Sequence, residues 1–166
     1  MSNASRAVTV RAVNGPPDGA AAQLLASQRT YYDLRAPDYA DASKEPDRNL
    51  HGLMAQHTIT AIVEGLGPLG DVLELACGPG GFTSELARLA SSLTALDASP
   101  QMLERSRREV AVPSITYVEA DLFSWVPDRH YDLVFFGFWL SHVPPAELGP
   151  FWDLVRACLR PGGRAV

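Results

Sequence analysis

The stretch Val72-Leu73-Glu74-Leu75-Ala76-Cys77-Gly78-Pro79-Gly80-Gly81-Phe82-Thr83 constrains this chain more than any other part of it. Leu73, Leu75 and Ala76 form a short apolar run, as a parallel strand does when helices cover both its faces. Gly78, Gly80 and Gly81 allow a sharp turn and let a ligand approach main-chain N–H groups with no Cβ in the way. Phe82, Leu86 and Leu89 then share one helical face that can pack on the sheet. Strand, glycine turn and helix N-terminus together make a nucleotide-type pocket at the carboxyl end of a parallel sheet. Glu74 narrows the ligand. A carboxylate just before the turn suits an ammonium or hydroxyl groups and opposes a pyrophosphate.

Around this stretch the chain divides into three parts. Residues 1–19 are a loose lead-in, with Asn14-Gly15-Pro16-Pro17-Asp18-Gly19 as its turn-rich end. Residues 20–68 hold two helices. One runs from about Ala20 to Leu34 and carries Tyr31 and Tyr32; the other runs from about Asp47 to Leu66. Between them Ala36-Pro37-Asp38-Tyr39 breaks the first helix, and Ala40 to Pro46 is a polar loop or lid. The second helix places Leu50, Leu53, Met54, His57, Ala61 and Ile62 on one face, the side expected to be buried.

From residue 69 onward strand and helix alternate. Strands are expected at Asp71–Ala76, Leu93–Leu96, Ile115–Val118 and Tyr131–Phe136. Helices are expected at Gly80–Ala90, Pro100–Glu109 and Ala146–Leu159. Ser99 is the N-cap of the middle helix with Pro100 at its first position. Pro161-Gly162-Gly163 stops the last helix, and Arg164-Ala165-Val166 opens a fifth strand. Such alternation implies an α/β fold, a doubly wound Rossmann-like parallel sheet with right-handed crossovers and helices on both faces.

At 166 residues a single domain with its own core is expected. A net charge of −5 speaks against a nucleic-acid surface, which needs a basic stripe, and no apolar run is long enough to span a bilayer. Cys77 and Cys158 are isolated, with neither CxxC spacing nor a disulfide framework, so a reducing cytoplasm is the expected location.

Glu74, Asp97 and Asp121 stand at or just past the carboxyl ends of three successive strands, along one rim of a parallel sheet. Asp97 follows Gly78 by 19 residues, the spacing at which an acid receives ribose hydroxyls. Asp121 is placed to accept from an exocyclic base amine, with the Leu122 N–H near a ring nitrogen. Met102 and Phe123 are placed to sandwich a flat base. A single acid at a strand end is as often a cap; three in register point to one ligand.

The order Glu74-x-x-x-Gly78-x-Gly80, Leu96-Asp97, Glu119-Ala120-Asp121-Leu122, Tyr131-Asp132-Leu133-Val134 and Leu159-Arg160-Pro161-Gly162-Gly163 resembles the seven-strand S-adenosylmethionine-dependent methyltransferases, those acting on small molecules. The likeness runs from Asp71 to the C-terminus and implies the strand order 3-2-1-4, with a fifth strand just begun. It implies that Gly78 and Gly80 pass along the methionine part of S-adenosyl-L-methionine and that Glu74 supports its ammonium end. Asp97 would hold the ribose, Asp121 and Leu122 would read the adenine edge, and Ala76, Ala98 and Met102 would complete the cofactor set. Phe136 to Leu140, Phe138 among them, would flank the sulfonium. The N-terminal helical segment would close over the cofactor as a lid, bringing Tyr32 and Tyr39 toward the cofactor carboxylate or the methyl acceptor, with Arg35 free to pair with a carboxylate.

The activity so implied is methyl transfer to an O or N atom of a small molecule by in-line displacement, which positioning largely catalyses. His142 and Tyr39 are the candidate catalytic residues. A histidine such as His142 is the residue type suited to a general base, though a loop-capping role before Pro144-Pro145 fits it as well. A nicotinamide-dependent oxidoreductase is the weaker reading, because a G-x-G-x-x-G run from Gly78 requires glycine where Thr83 stands. The family's last strands are absent from this sequence, so a C-terminally truncated form is expected. Its strand-four edge would then be bare and apolar, covered by a homodimer or a swapped assembly. A catalytically silent cofactor-binding module is the remaining alternative. Neither nucleic acid nor membrane is expected as a partner.

Overall fold

The computed structural model describes residues 19–37, 39 and 46–166, without the side chains of 46–53, 55 and 56. The lead-in over residues 1–18 and the polar loop over residues 40–45 lie outside the described residues. Helix α1 spans Gly19–Arg35 and α2 spans Pro46–Gly65. Then follow β1 (Leu69–Leu75), α3 (Thr83–Leu89), β2 (Ala90–Asp97), α4 (Pro100–Val110), β3 (Ile115–Glu119) and β4 (Tyr131–Phe135). Two short 3-10 turns, Leu140–His142 and Pro145–Glu147, lead into α5 (Leu148–Cys158) and β5 (Leu159–Ala165).

The strands form one sheet in the order β3-β2-β1-β4-β5, every pair parallel. Side chains of β1 alternate between its two faces, and so does the core. Val72, Leu93, Leu133 and Phe135 pack with Phe82, Leu86 and Leu103 on one face. Leu73, Leu75, Leu96 and Val134 pack with Phe151, Val155 and Cys158 of α5 on the other. Burial on both faces is why the second half of β1, from Val72, reads as an apolar run with Glu74 as its exception. Cys77 and Cys158 are buried and unbridged. Among the described residues no helix is long and apolar enough to cross a membrane.

Helix α4 begins as its sequence dictates. Ser99 accepts from the Met102 N–H at 3.2 Å, and Pro100 sits at the first position. Helix α2 buries a different face from the one its periodicity suggested. Val63 is buried, with Ile59 and Leu66 packed beside it, whereas Met54, His57, Ala61 and Ile62 face outward. Two apolar stripes compete on this helix, and the stripe that meets α3 and the sheet is the one buried.

The expectation of a bare β4 edge is also corrected. Strand β5 pairs along β4 from Tyr131↔Leu159 to Val134↔Ala165, and the Phe136 N–H donates to the Val166 carbonyl at 3.0 Å. Pro161-Gly162-Gly163 therefore does not separate helix from strand. The strand begins at Leu159, and this segment is an irregularity inside it, Gly162 standing at φ +81°. Proline is tolerated there because a bulge on an edge strand needs no N–H from it. Arg160 fastens the bulge, donating to Asp132 at 2.7 Å and to Asp71 at 2.6 Å, across the amino ends of β4 and β1.

Candidate active site

The glycine turn after β1 opens a cavity of about 630 Å3 at the carboxyl end of the sheet. Strand register explains which acids reach it. Glu74 pairs with Ala95, and Asp97 lies two residues further along β2, on the same side of the sheet. Asp97 in turn pairs with Glu119, and Asp121 lies two residues beyond. The acids thus climb two residues per strand along one slope. All three line the cavity.

Glu74 is almost wholly buried at 2% exposure. Burial pushes its carboxyl up to about 8, with the nearby Asp97 adding to the rise and the Thr83 hydroxyl opposing it. That hydroxyl donates to Glu74 Oε2 at 2.7 Å. Thr83, which breaks the dinucleotide-type glycine pattern, is therefore the residue that orients the carboxylate. Asp97 accepts from the Gly78 N–H at one oxygen and from the Ser99 N–H at the other, each at 2.8 Å. Burial raises its pKa, against the pull of these backbone donors. Each oxygen retains a lone pair for a ligand hydroxyl. Asp121 uses one oxygen to cap its own turn, accepting from the Phe123 N–H at 2.9 Å.

The glycines differ in what they do. Gly78 has φ +53°, and a Cβ there would meet nothing within 4 Å; it faces the cavity. Gly80 does not line the cavity. With φ +95° it presses on α4, where a Cβ would lie 2.6 Å from Ser106 Oγ and 2.8 Å from Val110 Cγ2. Gly80→Ala should therefore destabilise the protein by about 2 to 4 kcal/mol through clash and backbone strain. Urea unfolding measures this, and a midpoint within error of wild type would contradict the packing described.

The other expected residues divide in the same way. Ala76, Ala98, Met102, Leu122, Phe138, Tyr32, Tyr39 and His142 line the cavity, as does Phe123. Phe136 does not; its ring packs on Phe151 and Trp152 at centroid distances of 5.1 and 5.7 Å. Alternation accounts for this. Phe135 shares the register of Glu74, so Gly137 falls on the cavity side and Phe136 on the α5 side. Gly137 is also where a side chain would collide with the Phe82 ring, at 2.4 Å. Phe138 returns to the cavity only because its backbone turns left-handed, at φ +61°. Among the described residues Arg35 meets no carboxylate; it donates to Tyr31 Oη at 3.3 Å.

Helix α1 crosses the cavity, and Gln28, Arg29 and Tyr32 contribute to its wall. On one side Tyr32 Oη and His142 Nε2 share a hydrogen bond at 3.2 Å, and Gln28 Nε2 donates to the His142 carbonyl at 3.0 Å. On the other, Ser99 Oγ donates to Asp33 at 2.5 Å, and the buried Arg105 guanidinium donates to the carbonyls of Ala36 and Pro37. Burial, with the neighbouring Tyr39 and Tyr31, pushes the Tyr32 hydroxyl up to about 12. Gln28 and Trp139 in the cavity wall, and Thr83 buried behind Glu74, are the residues that sequence reasoning did not single out as polar participants. Among the described residues no group of His, Cys, Asp or Glu is arranged to hold a metal ion.

The family model described as "Methyltransferase domain" matches residues 72–163. Trans-aconitate 2-methyltransferase of Enterobacter sp. (strain 638) is 38% identical over 48% of this chain and 31% of its own length. An uncharacterised methyltransferase of Synechocystis sp. is 33% identical over 75% of this chain and 58% of its own. The chain thus spans between about a third and three fifths of these curated relatives. Among solved structures, a DhpI complex with SAH superposes with a TM-score of 0.73 and 40% identity, covering 86% of this chain and 67% of that one. A glycopeptide N-methyltransferase, MtfA, bound to S-adenosyl-L-methionine, gives a TM-score of 0.59 at 27% identity over 67% of this chain and 52% of its own.

Proposed function

Because the chain belongs to the methyltransferase domain family, we propose that it binds S-adenosylmethionine in this cavity and directs methyl transfer to an oxygen or nitrogen of a small molecule. The observation that carries the reading is the slope of acids Glu74, Asp97 and Asp121 beside a left-handed Gly78 with open space over its Cα. That donor and acceptor set fits an ammonium, a ribose and a base amine, and the Thr83 bond to Glu74 fits no pyrophosphate site. The solved relatives carrying SAH or S-adenosyl-L-methionine support the same assignment.

Glu74 would take the ammonium end, Asp97 the ribose hydroxyls, and Asp121 with Leu122 the adenine edge, between Met102 and Phe123. When bound, S-adenosylmethionine supplies a methyl group already activated by its sulfonium. What remains for the protein is alignment and exclusion of water, which α1 provides by closing the cavity on the His142 side. An acceptor hydroxyl or ammonium must also lose a proton. Tyr32 keeps its own proton at neutral pH, so its hydroxyl can receive the acceptor proton as it passes one to His142 Nε2. Tyr39, its ring 6.2 Å from that of Tyr32, would face the acceptor beside the pair.

Calorimetric titration tests the cofactor assignment. S-adenosylhomocysteine should bind with one-site stoichiometry while NADH gives no heat of binding. Binding of NADH without S-adenosylhomocysteine would return the chain to the oxidoreductase reading.

A further inference from the structure

Ser99 is buried, and its polar atoms reach three different parts of the fold. Its N–H donates to Asp97 Oδ1 at 2.8 Å. Its Oγ accepts from the Met102 N–H at 3.2 Å, the bond that starts α4. The same Oγ donates to Asp33 Oδ1 of α1 at 2.5 Å. The N-cap bond uses a lone pair and leaves the hydroxyl proton still to be placed. A carboxylate is a strong acceptor for it, and Asp33 supplies one from 66 residues away. One small side chain thus joins the acid expected at the ribose, the helix that follows it and the helix that crosses the cavity.

Asp33 reaches Ser99 from a fixed base. The residues just after it are held separately, by the buried Arg105 guanidinium, which donates to the Ala36 carbonyl and to the Pro37 carbonyl, the latter at 3.1 Å. Arg105 is itself tied down on α4, where its Nε donates to Glu109 at 2.7 Å. The two N–H groups that set the plane of the Asp97 carboxylate are therefore unequal. Gly78 belongs to a turn with open space over its Cα, whereas Ser99 is fixed from outside by α1. The two carboxylates are also near enough to sense each other. Burial is the larger cause of the raised Asp97 pKa, and the charge of Asp33 adds to it.

We propose that Asp33 is a positioning residue for the ribose acceptor: through the Ser99 hydroxyl it fixes the N–H that orients Asp97, so that α1 shapes the ribose site as well as covering the cavity. The inference rests on the cofactor reading above, since it takes Asp97 as the acceptor for the ribose hydroxyls.

A helix that only covered the cofactor would hold every part of it alike, whereas coupling through Ser99 acts on the ribose hydroxyls. Calorimetry on the full chain therefore compares S-adenosylhomocysteine with the analogue that lacks both ribose hydroxyls. D33A should weaken S-adenosylhomocysteine about tenfold, the loss of one hydrogen bond to a charged group, and the analogue less than about twofold. D33N keeps an acceptor oxygen for Ser99 and should stay within about threefold of wild type. D33L removes the acceptor at similar volume and carries the same comparison where D33A does not fold. Equal losses for the two ligands would overturn the inference and leave α1 as a cover alone. So would D33N falling as far as D33A, which would give the effect to the charge of Asp33 and not to its hold on Ser99. Equal affinity of wild type for the two ligands would overturn it together with the ribose role of Asp97. Failure of S-adenosylhomocysteine to bind wild type is a distinct result, which removes the cofactor reading and the inference together.

Discussion

Glu74→Gln should make the ligand-free protein more stable while it weakens cofactor binding. The carboxyl titrates near 8 when folded, against a reference value of 4.5, because burial disfavours its charge. Between those values the folded state holds a proton that the unfolded state has released. Stability must then fall as pH rises from about 4.5 to about 8, and level off above that. At pH 7 the penalty is on the order of 3 kcal/mol. Glutamine keeps the acceptor for the Thr83 hydroxyl and carries no charge, so it escapes the fall. In thermal melts the variant should match wild type near pH 4.5 and exceed it by about 10 to 15 °C at pH 8. A gap that fails to widen with pH would contradict the burial described. The same substitution should weaken S-adenosylhomocysteine binding by about tenfold or more, since an ammonium needs the ionised partner. Wild-type affinity should rise between pH 6 and pH 8, and that slope should vanish in the variant.

The second large effect is expected at Asp97. Its two oxygens are each taken by a backbone N–H, one from the glycine turn and one from the start of α4. Asp97→Ala should therefore lower affinity for S-adenosylhomocysteine about 100-fold, removing the ribose acceptor and loosening Gly78 together. Asp97→Asn should not rescue it. Whichever way an asparagine amide is turned, its NH2 faces one of two N–H donors. Calorimetry distinguishes the outcomes, and unchanged affinity in either variant would sink the ribose assignment.

How much of this was legible beforehand depended on whether local rules or distant packing decided the matter. The turn from Val72 to Thr83 could be read because a buried parallel strand, a left-handed glycine and an exceptional carboxylate are local facts. Ser99 and Pro100 opened α4 for the same reason. Phe136 was an error of a single position, and the two-residue alternation that puts Gly137 in the cavity was already in the sequence. The face of α2 was not legible, because Ile62 and Val63 are equally apolar and only the position of α3 separates them. Gln28 carried no signal at all. It stands 114 residues from the His142 carbonyl it holds, and a glutamine on a helix is ordinarily a solvated one.

Beside an exposed ion pair from Arg29 to Glu119 at 3.6 Å, two sets of hydrogen bonds attach α1, and they differ in kind. Toward α4 it is held by a buried guanidinium on two carbonyls and by the short Asp33–Ser99 bond. Toward His142 it is held by two hydrogen bonds of 3.0 and 3.2 Å between half-buried groups. The weaker side is the one expected to release first, with α1 hinged at its C-terminal end. Such an opening would break the Tyr32–His142 bond, which is also the path proposed for the acceptor proton. Admission and chemistry would then share one contact: the site would be competent for proton transfer only while shut, and opening would set the pace of turnover.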